Sequence, residues 1–243
     1  MTSTEIQAVL LDMGGVILRL AGSHGFPHSR LDFRGRQALL RSLTRAGGRA
    51  TLDDLESLVF GPWQADYSRR EERGKEADWS PHLERLRSSS GCKLSDLELL
   101  EVWFRPYGER LLPTAGARQA LQELLDMGLK LALVSNVPLP GQLYSEVLER
   151  HGLKGAFSSL CYSYDRGTRK PSPALLRLAM SAIGSDSTST IMVGDRRERD
   201  IAAGRFAGTE TVWIRHPDNG GPEPDETIES LVELPDLLRQ WQR

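Results

Sequence analysis

Four short apolar runs, Ala8 to Leu11, Leu131 to Val134, Ile191 to Val193 and Val212 to Ile214, constrain this chain more than any other feature. Each is too short to form a helix and too continuous for a strand with one wet face, so each reads as a strand buried on both sides. The segments between the later runs have helical spacing: Leu121, Leu124 and Leu125 before Gly128; Leu143, Val147 and Leu148 before Gly152; and Leu175, Leu176 and Ala179 before Gly184. Apolar residues three and four apart, followed by a glycine that can stop the helix, are the pattern of an amphipathic helix docked on a sheet. A weaker strand candidate covers Phe157 to Tyr162. Strands alternating with helices predict an α/β fold with a doubly wound parallel sheet, connected by right-handed crossovers.

The rhythm breaks between about residue 19 and residue 110, which contain helix-start signals and no comparable strand run. Thr51 precedes Leu52, Leu55 and Leu58; Ser80-Pro81 reads as an N-cap with proline in the first turn; Ser95 with Glu98 forms a capping box. The expectation is a Rossmann-like core of residues 1–18 and 111–243 carrying an inserted helical domain at 19–110. The stretch His216 to Asp225, rich in Gly and Pro, reads as a connection to a last helix near Pro235 to Trp241.

Composition narrows the function classes. With 31 Lys plus Arg against 33 Asp plus Glu, the net charge is −2 and gives no global reason to bind nucleic acid. Two cysteines, Cys92 and Cys161, make no metal-binding pair and fit a reducing compartment. No basic n-region with an apolar stretch opens the chain, and no run is long enough to span a membrane, so a soluble cytoplasmic protein without a membrane partner is expected.

In an open parallel sheet the ligand site lies beyond the carboxyl ends of the strands. There the chain places Asp12-Met13-Gly14-Gly15-Val16 after the first run, Ser135-Asn136 after the second, and Gly194-Asp195 with Asp200 after the third; Lys170-Pro171 falls between the last two. Each alone could be a cap, a turn or a solvated charge. Together, in this order, they resemble the four motifs of the haloacid dehalogenase superfamily of hydrolases, and the helical insertion resembles that family's C1-type cap. A Lys-Pro at the expected place carries weight because lysine is scarce here.

The resemblance implies a phosphatase for a small phosphorylated metabolite. Asp12 would be the nucleophile that forms an aspartyl-phosphate, splitting one hard displacement into two easier ones. Ser135, with Asn136, would bind the phosphoryl group, and Lys170 would neutralise Asp12 and the transferred group. Asp12, the Gly14 carbonyl, Asp195 and Asp200 would hold Mg²⁺, a hard cation suited to oxygen ligands.

Two residues depart from the family pattern. The phosphatases of the family usually carry a second Asp, acting as acid and base, where this chain has Gly14; losing such an acid commonly costs about 10²- to 10⁴-fold in rate. Arg196 follows Asp195 where a small polar residue is usual. The alternatives are a non-catalytic relative that binds a phosphorylated ligand or partner, and a dehalogenase, which would need no metal. His24 and His28 are candidate substitute acids. The aromatics Trp63, Tyr67, Trp79, Trp103, Phe104 and Tyr107 are expected to pack within the insertion rather than stack on a substrate.

Overall fold

The computed structural model describes residues 5–22, 28–217 and 220–241, with the side chains of residues 28 and 29 not described. Its elements are β1 (Ala8–Leu11), β2 (Leu18–Leu20), α1 (His28–Arg45), α2 (Leu52–Leu55), α3 (Gly61–Glu71), α4 (Ser80–Ser90), α5 (Asp96–Gly108), β3 (Leu111–Pro113), α6 (Ala117–Asp126), β4 (Lys130–Ser135), α7 (Gly141–Arg150), β5 (Ser159–Tyr162), α8 (Ser163–Arg166), α9 (Ala174–Ile183), β6 (Thr190–Gly194), α10 (Ala202–Ala207), β7 (Glu210–Ile214), β8 (Glu226–Ile228) and α11 (Leu234–Trp241). A π-helical stretch, Glu56–Phe60, joins α2 to α3, and another, Arg197–Ile201, precedes α10.

Strands β5-β4-β1-β6-β7-β8 form a six-stranded sheet in which every pairing is parallel. The apolar runs are continuous because both faces are covered. Ala8 and Leu10 join Ala132, Val134 and Met192 under α9, whereas Val9 and Leu11 join Leu131, Leu133 and Ile191 in a cluster with residues of α6, α7 and α11. Side chains alternate across a strand, so each β1 residue serves one face or the other.

The chain leaves β1 and returns to β4 through an antiparallel ribbon, β2 with β3, in which Leu20 pairs with Leu111. Thr114 ties the ribbon down by donating its hydroxyl to the Val16 carbonyl at 2.6 Å. Helices α1 to α5 lie between the two ribbon strands. The predicted capping box of Ser95 with Glu98 forms, and Thr51, expected only as a helix start, forms a second one with Asp54. Ser80 differs from its expected place: it is the first helical residue, Trp79 holds the N-cap position, and Asp78 Oδ1 accepts the Ser80 N–H at 3.0 Å. The Trp79 indole is a donor only and cannot accept from the free N–H groups of the helix start; it donates instead to the Pro138 carbonyl at 2.8 Å.

The predicted aromatic packing holds for most of the set, with Trp63 stacked on Trp79 at 3.9 Å between centroids. Tyr107 packs on Phe104 at 5.7 Å between centroids and also lines a cavity. Between the expected connection, His216 to Asp225, and the last helix lies β8, a three-residue strand that the sequence did not announce. His24 lies outside the described residues, and His28 is the first residue of α1. No described helix is long and apolar enough to cross a membrane.

Candidate active site

A cavity of about 480 Å³ opens at the carboxyl ends of β1, β4 and β6, walled on one side by the β2–β3 ribbon. Asp12, Gly14, Ser135, Asn136, Lys170, Asp195 and Asp200 all line it, so residues separated by up to 188 positions converge on one site. The convergence follows from topology: β1 has β4 and β6 as its two neighbours, and each of these strands ends in a polar loop.

Lys170 is the hub, with 2% of its surface exposed. Its Nζ lies 2.7 Å from Asp12 Oδ1 and 2.7 Å from Asp200 Oδ1, and it donates to the Val134 carbonyl at 2.7 Å. Burial alone would lower its pKa, but the two carboxylates outweigh that and hold the ammonium charged. Asn136 clasps the Lys170 backbone from both sides, accepting its N–H at 2.8 Å and donating to its carbonyl at 2.8 Å. The Asn136 amide is thereby occupied in fixing Lys170, although the residue also borders the cavity.

Asp12, Asp195 and Asp200 are buried, and one oxygen of each lies within 4.8 Å of the others. At that separation each ionised pair repels by roughly 3 to 4 kcal/mol at an effective dielectric near 20. Burial first, then the neighbouring Asp12 and Asp200, pushes the Asp195 carboxyl up to about 7. Burial likewise raises Asp12, against the pull of Lys170 and with a further push from Asp200. Three carboxylates against one ammonium leave two negative charges, which a divalent cation balances. The Gly14 carbonyl accepts no hydrogen bond among the described residues, so the donor set of hard oxygens fits Mg²⁺.

Two glycines make the cluster possible. Gly15 has φ +80°, and a Cβ there would fall 2.2 Å from Asp195 Oδ2; a Cβ on Gly194 would meet Asp200 atoms at 2.3 Å. Any larger residue would displace the carboxylates. Asp200 is further fixed by the Arg196 N–H, which donates to its Oδ2 at 2.9 Å. The Arg196 side chain, Arg19, Arg199, Tyr144 and His216 also line the cavity, and sequence reasoning had singled out only Arg196 among them. Arg19 and His216 sit on the ribbon and beyond β7, positions that only the folded sheet brings to the site.

The family model for haloacid dehalogenase-like hydrolases matches residues 6–208. The chain is 30% identical to a phosphoserine phosphatase of Thermus thermophilus over 94% of its own length and 90% of that protein. It is 27% identical to a glyceraldehyde 3-phosphate phosphatase of Methanopyrus kandleri, covering 97% of this chain and 98% of the relative. Among solved structures, an HAD phosphatase from Thermococcus onnurineus superposes with TM-score 0.64 at 23% identity, over 96% and 98% of the two chains. The HAD-hydrolase YfnB from Bacillus subtilis, solved bound to magnesium, superposes with TM-score 0.61 at 20% identity, over 97% and 99%. These two likenesses establish the shared fold.

Proposed function

The chain belongs to the family of haloacid dehalogenase-like hydrolases, and from that premise we propose that it is a Mg²⁺-dependent phosphatase that hydrolyses a small phosphorylated metabolite through an aspartyl-phosphate on Asp12. The observation that carries this reading is the Lys170 ammonium shared by Asp12 and Asp200 beside Asp195, at the floor of a cavity large enough for a small metabolite. The relatives named as phosphoserine and glyceraldehyde 3-phosphate phosphatases support the substrate class.

In this reading Asp12 attacks phosphorus and the substrate oxygen departs; water then hydrolyses the acyl phosphate and frees Asp12. Lys170 neutralises the nucleophile before attack and the phosphoryl charge during it, which matters most where water is scarce. Ser135, 3% exposed at the end of β4, offers its hydroxyl to a phosphoryl oxygen. Asp12, Asp195, Asp200 and the Gly14 carbonyl would hold Mg²⁺, which would supply the positive charge that lets a dianion approach carboxylates. Residues 1–18 and 111–243 form the core, and the helical insertion 19–110 acts as the cap that excludes water and selects the substrate.

Gly14 leaves the departing oxygen without the carboxyl acid usual in the family, so leaving groups that tolerate negative charge are favoured. The buried carboxylate triad favours this reading over a dehalogenase, which would have no use for a cation. A panel of phosphate monoesters assayed with Mg²⁺ and with chelator tests it. Turnover that is lost with chelator and in Asp12→Asn is expected; equal turnover with both would refute it, and tight binding without turnover would favour the non-catalytic alternative.

A further inference from the structure

Arg169 immediately precedes Lys170, yet its guanidinium is absent from the cavity wall and only 3% of its side chain is exposed. All its side-chain partners belong to the helical insertion. Nη2 donates to the Tyr67 hydroxyl at 2.9 Å and to Glu71 Oε1 at 2.8 Å, both on α3, and Nη1 donates to Glu76 Oε2 at 3.5 Å in the turn that follows. The Arg169 N–H also donates to the Gly74 carbonyl at 3.3 Å.

The same two carboxylates reach the other polar loops. Glu71 Oε1 lies 3.5 Å from Arg199 Nη2, one residue before Asp200. Glu76 Oε1 accepts from the Ser163 hydroxyl at 2.6 Å, and that hydroxyl oxygen accepts the N–H of Val137, two residues beyond Ser135, at 2.8 Å. Glu71, the last residue of α3, and Glu76, beyond it, are therefore tied to the loops that carry Ser135, Lys170 and Asp200.

We propose that Glu71 and Arg169 are positioning residues that couple the seating of the helical insertion to the placement of Lys170 and Asp200, an inference that rests on the phosphatase reading above. A rotation about the β2–β3 ribbon would carry Glu71 and Glu76 away and strand a buried guanidinium without a counter-charge, which is costly. Because Arg169 is joined to Lys170 by one peptide bond, its displacement is transmitted to an ammonium seated 2.7 Å from two carboxylates. Misplacement by about 1 Å at such a point can cost about 10²-fold in rate. The seated insertion thus both closes the cavity and holds the cation of the site in register.

The test uses Glu71→Gln, which preserves shape and removes charge at a partly exposed position, and Arg169→Lys, which keeps charge but cannot span Glu71, Glu76 and Tyr67 together. Two readouts are taken: turnover of 4-nitrophenyl phosphate at saturating Mg²⁺, and amide hydrogen exchange of peptides covering 163–172 and 196–200 in the metal-free protein. Both variants should lower kcat about tenfold, as a coupling of moderate size does, with KM changed by less than about twofold. Exchange in the two loops should quicken while β1 and β4 stay protected, and Glu71→Asp should recover part of kcat. Unchanged kcat in both variants, or lowered kcat with unchanged loop exchange, overturns the coupling. If the wild-type protein turns over no phosphate monoester, the phosphatase reading fails, and the exchange arm alone decides whether the insertion orders these loops.

Discussion

Replacing Gly14 with aspartate puts the missing acid back, and the geometry permits a quantitative expectation. A Cβ built on Gly14 meets only Asp12 Oδ2, at 3.9 Å, an ordinary contact, and Gly14 is not among the glycines with positive φ. The side chain therefore extends into the cavity without backbone strain. Its carboxyl would stand near Asp12 and Asp195, where burial and neighbouring charge already push Asp195 up to about 7. Standing beside the nucleophile, the new carboxyl would supply the proton that the departing oxygen needs. General acid catalysis contributes about 10²- to 10⁴-fold when well aligned, and a grafted group without tuned supports should supply the lower end, up to about 10²-fold on alkyl phosphates. Aryl phosphates, whose leaving groups need little protonation, should gain a few-fold at most. The assay is kcat/KM against leaving-group pKa for a graded ester series at saturating Mg²⁺, with a steep wild-type dependence flattened by Gly14→Asp. A shallow wild-type dependence that Gly14→Asp leaves unchanged would refute the reasoning and mean that another acid acts, with His216 in the cavity wall the first to substitute.

Gly15→Ala forces a residue with φ +80° into the left-handed region and its Cβ onto Asp195 Oδ2. Apparent Mg²⁺ affinity, measured by metal titration of activity, should fall by at least about tenfold. Mg²⁺ should also raise Tm in a pH-dependent way. Asp195 is raised from 3.8 to about 7 in the metal-free fold, so its contribution to stability is full below about pH 4 and is lost as pH rises through about 7. Mg²⁺ takes the proton's place, and the Tm increment on adding Mg²⁺ should grow from about pH 5 to about pH 8 and shrink to a small constant value in Asp195→Asn, as thermal scans would show.

The parts of the fold that were readable in the sequence are those whose burial is complete. β1 spans the predicted Ala8 to Leu11, and β4, β6 and β7 extend the other apolar runs by one or two residues, because a strand covered on both faces must be apolar throughout. The β2–β3 ribbon escaped notice since it pairs Leu18–Leu20 with residues more than ninety positions away, and three-residue strands leave no periodicity. Within the site, Asp12, Ser135, Asp195 and Asp200 follow strand ends, where polar residues face a ligand, and it was the resemblance of the four motifs in order, Lys170 included, that singled the set out. Arg169, Glu71 and Glu76 were not legible: an arginine beside a lysine, a glutamate ending a helix and another in the segment after it look solvated until the insertion folds back onto the core. Asn136, read as a ligand contact, borders the cavity and also holds the Lys170 backbone, a pairing that sequence distance conceals.

The central claim is that Asp12 becomes covalently phosphorylated during turnover. Acid quenching of the protein in the steady state with an aryl phosphate and Mg²⁺, followed by borohydride reduction and peptide mapping, reads this directly, because an aspartyl-phosphate is reduced to homoserine. The account predicts homoserine at position 12, dependent on both substrate and Mg²⁺ and absent from Asp12→Asn. Full turnover with no modification at Asp12, under quenching that traps acyl phosphates in a control protein, would contradict it.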